Sequence, residues 1–193
     1  DLSNNLSSVQ IADVPSLQAV FQNRNAVAVT PAMAAYQQNA YSLLTLWNTQ
    51  AGVQEITRYT SLVPQVNSET VAWVGGAPSG PNFVLTPGSF LWIKFADQRV
   101  LDLGVNSVGP VNLAAGANVL SYAGFPSPYS AYKLLGQLGS ANARAVRMLD
   151  SQSGRWLVAE VQNGRPIGVD FVVPRVAVLM LDLVNPVTNF QPQ

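Results

Sequence analysis

The chain of 193 residues carries ten acidic and ten basic side chains and neither a histidine nor a cysteine. That inventory limits the chemistry. Without histidine, acyl transfer of the Ser-His-Asp kind cannot be assembled, and a Ser-Lys variant would have to recruit Lys94 or Lys133. Lys94 sits inside the apolar stretch Phe90-Leu-Trp-Ile-Lys-Phe95, where it reads as a strand residue. Without cysteine there is no thiolate nucleophile, disulfide or sulfur-ligated metal. Glycoside hydrolysis needs two carboxyl groups facing each other across a cleft. Here Asp150 opens the turn Asp150-Ser-Gln-Ser-Gly154, Asp170 precedes an apolar strand, and Asp102 and Asp182 alternate with apolar neighbours. These read as turn formers and solvated strand positions. No D-x-D-x-D-G run offers a calcium loop. We therefore expect no catalytic residue, no metal ligand and no cofactor, and we read the chain as not an enzyme.

Ligand recognition by flat rings is the chemistry that remains. Trp73 lies in the short run Val71-Ala-Trp-Val74, and Tyr122, Phe125 and Tyr129 gather in and beside Gly124-Phe-Pro-Ser-Pro-Tyr129. Such rings stack on sugar faces, so these four form a candidate ligand or partner surface, with local packing as the competing reading. A second candidate is the Ser/Asn/Gln-rich segment 1–24, whose Val9, Ile11 and Val14 have the spacing of a short strand. It reads as an edge strand of its own domain or as an arm added to a neighbouring subunit.

Charge points the same way. Charged residues make up 10% of the chain against about 25% in an average domain, while 48% are hydrophobic. The net charge is zero and no run of like charge occurs, so the electrostatic footprint of a nucleic-acid or anionic-membrane partner is missing. The longest apolar run, around Val176–Leu181, falls short of the roughly 20 residues that a membrane helix needs. A surface made of Ser, Thr, Asn, Gln, Gly and Ala suits an exported protein whose signal peptide has been removed.

The elements that position these residues recur. Tyr36, Ala40, Leu43, Leu44 and Trp47 have the spacing of one helix face. Ala131, Leu134, Leu135 and Leu138 repeat the last four positions at a constant separation of 91, in a helix opened by Ser127-Pro128 and ended by Gly139. Likewise Asn82-Phe-Val-Leu-Thr-Pro-Gly-Ser-Phe-Leu-Trp-Ile93 is matched by Asp170-Phe-Val-Val-Pro-Arg-Val-Ala-Val-Leu-Met-Leu181. The spacing predicts an α+β, predominantly β fold of two pseudo-repeats, each strand-helix-strand-strand-strand, around a shared core. Residues 1–24 form an arm, 25–104 the first unit, 111–183 the second and 184–193 a tail. Asn163-Gly164 between alternating runs predicts a tight hairpin.

The second unit also resembles a known repeat. Leu113-Ala-Ala-Gly-Ala-Asn-Val-Leu-Ser-Tyr122, Ala131-Tyr-Lys-Leu-Leu135, Asp150 with Gly154-Arg-Trp156, and Asp170-Phe171 are similar to the "GWNLIS"-type repeat of bacterial and archaeal extracellular proteins. In the first unit the likeness lies in Pro87-Gly-Ser-Phe-Leu-Trp-Ile93. The resemblance implies a β-rich module of secreted or surface-exposed proteins without a shared enzymatic activity. The expected function is a non-enzymatic extracellular structural subunit that associates with itself or with other surface proteins, by strand exchange through its arms. A carbohydrate-binding or adhesive module is the alternative.

Overall fold

Fourteen strands and three helices organise the residues that the computed structural model describes, which are 17–20, 22–61, 67–103 and 109–193. The candidate arm residues Val9, Ile11 and Val14 lie outside them. In chain order the first half contains β1 (Leu17–Val20), β2 (Asn23–Ala28), α1 (Pro31–Gln37), α2 (Ala40–Ala51), β3 (Val53–Ser61), β4 (Asn67–Val74), β5 (Ala77–Ser79), β6 (Phe90–Phe95) and β7 (Arg99–Asp102). The second contains β8 (Val111–Leu113), β9 (Gly116–Ala123), α3 (Ala131–Leu138), β10 (Ala143–Asp150), β11 (Arg155–Gln162), β12 (Arg165–Gly168), β13 (Val176–Leu183) and β14 (Val187–Phe190). The fold is α+β and mostly β.

Each half holds one antiparallel five-stranded sheet, in the orders β2-β6-β3-β4-β5 and β9-β13-β10-β11-β12. The last long strand of each half inserts between the first strand and the strand after the helix, so a helix links two like-directed strands with a third between them. Registers agree as well. Ile56 faces Ile93 and Val71, and Val146 faces Leu181 and Ala159. Bulges fall at Val53/Glu55 and at Ala143/Ala145, the same place in both sheets.

β6 shows how the sequence chooses its faces. Leu91, Ile93 and Phe95 turn into the core while Phe90, Trp92 and Lys94 stay half-buried on the other side. Against the core face lies α2, burying Ala40, Leu43, Leu44 and Trp47, and its counterpart α3 buries Ala131, Leu134, Leu135 and Leu138. Each fully buried leucine contributes about 2 kcal/mol. These are the residues that the helical spacing selected.

A matched set of polar contacts ties each helix to its sheet. The Tyr41 N–H donates to Asn82 Oδ1 (3.0 Å) and its hydroxyl to the Gly80 carbonyl (2.6 Å). Tyr132 does the same with Asp170 Oδ1 (2.8 Å) and Gly168 (2.9 Å). Gly80 and Gly168 have φ of +117° and +89°, and a Cβ on either would stand 2.4 or 2.5 Å from the carbonyl oxygen of Thr70 or Val158. Only glycine fits where the backbone comes that close.

Several expectations change. The first helical stretch is two helices, because Gln38 takes a positive φ of 52° and Asn39 caps α2 by accepting from the Ser42 N–H. Tyr36 therefore leaves the apolar face and is 84% exposed. In α3 the cap is Ser130, whose Oγ accepts from the Lys133 N–H (3.3 Å), while Ser127-Pro128 is a cis peptide ahead of it. The supposed tail contains β14, paired with β8 and burying Phe190, so it packs on its own half. β1 likewise pairs with β7. Each half thus has two strands outside its five-stranded sheet, and seven in all against the four expected. Finally, the buried apolar residues form two clusters, one per half, instead of one shared core. Each helix covers its own sheet, and of the second sheet Ala123 and Val176 join the first cluster while Val178 packs against it.

Asn163-Gly164 is a tight hairpin, with positive φ at both residues. The outer edge strands are blunted alike. Pro78 sits in β5 opposite Trp73, and Pro166 in β12 opposite Val161. A proline lacks the N–H that an added strand would need.

Candidate functional site

The sheet faces that carry no helix point toward one another and enclose a half-open cleft of about 260 Å³. From the first half it is lined by Ala26, Tyr59, Phe90 and Trp92. From the second come Val119, Leu149, Trp156, Val178 and Met180. The two linings correspond position for position. Ala26 pairs with Trp92 across β2 and β6, as Val119 pairs with Met180 across β9 and β13. Phe90 and Tyr59, stacked at 6.0 Å, occupy the places of Val178 and Leu149. Phe90 also meets Trp92 edge to face at 6.4 Å. Trp156, opposite Leu149 on β11, is the one lining residue outside this scheme.

None of the nine lining residues carries a formal charge. Trp156 and Met180 are 45% and 40% exposed at the rim, and the remaining seven are half-buried. Further along the same faces the character changes. The rung of Arg24, Lys94 and Glu55 lies beyond Trp92, and Asp182 and Glu160 lie beyond Met180. Arg24 binds Glu55 at 3.2 Å, Arg144 binds Asp182 at 3.6 Å, and Arg147 binds Glu160 at 3.7 Å. The helix-free surface therefore runs from an uncharged aromatic cleft to an ion-paired border.

The ring residues selected from the sequence lie elsewhere. Tyr122, Phe125 and Tyr129 are no more than 2% exposed and belong to the second core cluster. Tyr122 meets Phe125 at 5.1 Å, Phe125 meets Tyr129 at 5.3 Å, and the Tyr129 hydroxyl donates to Gln137 Oε1. A surface role for these three is replaced by packing, because the loop folds inward beneath α3 instead of over it. Burial pushes both hydroxyls above their ordinary pKa of 10.0, and Tyr129 is raised further by the nearby Tyr122. Trp73 is half-buried against the first cluster and takes no part in the cleft. Trp92 and Trp156, which do line it, were not among the four candidate ring residues. The signal was there: Phe90 and Trp92 give β6 a second apolar face, and Val178 and Met180 do the same for β13.

The carboxylates have local duties. Asp150 accepts from the Gln152 N–H (3.1 Å) and the Ser153 hydroxyl (2.5 Å) in its turn, Asp170 holds the first turn of α3, and Glu69 pairs with Arg58 at 2.5 Å. Among the described residues there is no cluster of three or more metal-ligating side chains, and no helix is long and apolar enough to cross a membrane. No family model matches the chain, and neither a curated protein nor a solved structure matches it.

Proposed function

We propose that the chain is a non-enzymatic binding module of an extracellular or cell-surface protein, built as two copies of one unit, with the cleft between the helix-free sheet faces as its working surface. The observation that carries this reading is the cleft. Nine uncharged side chains, four of them aromatic, line one half-open cleft on the faces that no helix covers, apart from the two buried clusters. A contiguous apolar surface of this kind marks a place where something binds.

A non-catalytic role is supported by the commitments of Glu55, Glu69, Glu160 and Asp182 to ion pairs and of Asp150 and Asp170 to backbone N–H groups. Duplication is supported by the identical strand orders, the coincident bulges and the paired Tyr-Gly-Asx contacts. The extracellular setting is supported by the sparsely charged surface and by the likeness to the GWNLIS-type repeat.

A self-associating structural subunit is the second reading, favoured by the low charge and by exposed valines such as Val84 and Val172. Strand exchange is its weaker form, since Pro78 and Pro166 block the outer edges and β1 and β14 are paired within the chain. The glycan-binding version loses the Tyr122–Tyr129 loop to the core.

Two measurements separate these readings. The uncharged dye N-phenyl-1-naphthylamine should brighten with the native chain and lose that response when Val119→Trp fills the cleft. Light scattering should give a monomer at micromolar concentration. A dye response unchanged by Val119→Trp overturns the binding reading, and concentration-dependent oligomers that disperse on Trp156→Ser establish the second.

A further inference from the structure

Resting on the reading of the cleft as a binding surface, we propose that its ligand is a small, uncharged, flat bicyclic molecule of about the size of naphthalene, held between the two halves. Size sets the first limit. An apolar cavity of about 150 Å³ accepts a single benzene ring, so a cleft of about 260 Å³ has room for two fused rings.

Charge sets the second. No lining residue is ionic, so a charged ligand would lose its hydration without a partner, at a cost that apolar contact does not offset. The neighbouring rung, with Lys94 and the ion pairs Arg24–Glu55, Arg144–Asp182 and Arg147–Glu160, lies outside the nine lining residues.

Shape sets the third. Tyr59 and Phe90 stack on one another with their planes 25° apart, and Trp92 meets Phe90 edge-on at 81°, so three rings make up the first half's side of the cleft. Opposite them stand the branched and flexible side chains Val178, Leu149 and Met180, which adapt to a ring face. An aromatic wall facing an aliphatic one suits a planar guest, whose faces meet both. Trp156 stands at the rim, where its indole can close over the guest or, by its N–H, bond a single hydroxyl.

Calorimetry on the full chain tests this with three probes: 2-naphthol, 2-naphthalenesulfonate and 1-decanol. The expected result is one 2-naphthol per chain, bound at least tenfold more tightly than either of the others. Val119→Trp should abolish that binding, and Trp156→Ala, at an exposed site that folding does not depend on, should weaken it about fivefold. Trp fluorescence should respond to 2-naphthol in the native chain. Equal or tighter binding of the sulfonate or of decanol overturns the assignment of ligand class, as does 2-naphthol binding indifferent to both substitutions. If the cleft-dependent dye response persists while 2-naphthol fails to bind, this inference falls and the binding reading stands. Loss of both removes the two together.

Discussion

The corner between the first long strand and the covering helix is filled in opposite ways in the two halves. In the first, the extra helix α1 occupies it, capped by Thr30, whose hydroxyl also donates to the Leu103 carbonyl at 2.6 Å, and it buries Met33. In the second there is no such helix. A loop carries Phe125 and Tyr129 inward to meet Tyr122, and the three rings fill the space. The lesson is that sheet and helix set a volume, and the sequence is free to fill it with a helix and one thioether or with a knot of aromatic rings. Aromatic packing contributes ring-on-ring attraction beyond area, whereas methionine adapts with less specificity.

Unequal truncations test that contrast most strongly. Phe125→Ala removes the central ring of the trio at a fully buried site and should cost about 4 kcal/mol, against about 2 kcal/mol for Met33→Ala in the more adaptable corner. Urea unfolding monitored by circular dichroism reads both. Equal losses would mean that the rings act as mere bulk.

The glycines probe the opposite property, in which the halves agree. Gly80→Ala and Gly168→Ala each force a Cβ against a backbone carbonyl at a left-handed φ, and each should cost about 3 kcal/mol. A large loss at one and none at the other would break the equivalence of the two units at its most demanding point.

How much of this was legible follows from which signals are local. The helix faces could be read because burial repeats along a helix with its own period, and Leu43, Leu44, Leu134 and Leu135 are all buried. The Asn163-Gly164 hairpin was legible because its turn needs two positive φ values, which that pair supplies. Asn39 as a cap went unread because Tyr36 fits the apolar period and hides the break that Gln38 makes. The aromatic loop left surface recognition and local packing both open, since glycine and proline announce a turn, yet nothing local tells whether its rings point in or out. The cleft was the least legible part. A strand with apolar residues on both faces looks the same whether a second layer covers it or leaves it open, and only the mutual placement of β6 and β13 decides.

The smallest expected effect separates the corners by pH. Tyr122 and Tyr129 have pKa values raised by burial, which favours the neutral hydroxyl in the folded chain. Their contribution is complete below the ordinary value of 10.0, because both states are then protonated. Above it the unfolded chain releases protons that the folded chain retains, so stability falls as pH rises. The equivalent corner of the first half buries Val29 and Met33, neither of which titrates. Tyr129→Phe should cost about 1 kcal/mol at neutral pH through loss of the bond to Gln137. Between pH 9 and 11 the gap between wild type and variant should narrow, since the variant lacks one of the two ionisations that draw the native chain toward unfolding. Hydrogen exchange should locate the alkaline weakening in β9, α3 and β13 before β2 and α2. A gap that stays constant with pH, or protection lost first from β2 and α2, would show that the two corners differ in packing alone and not in their response to base.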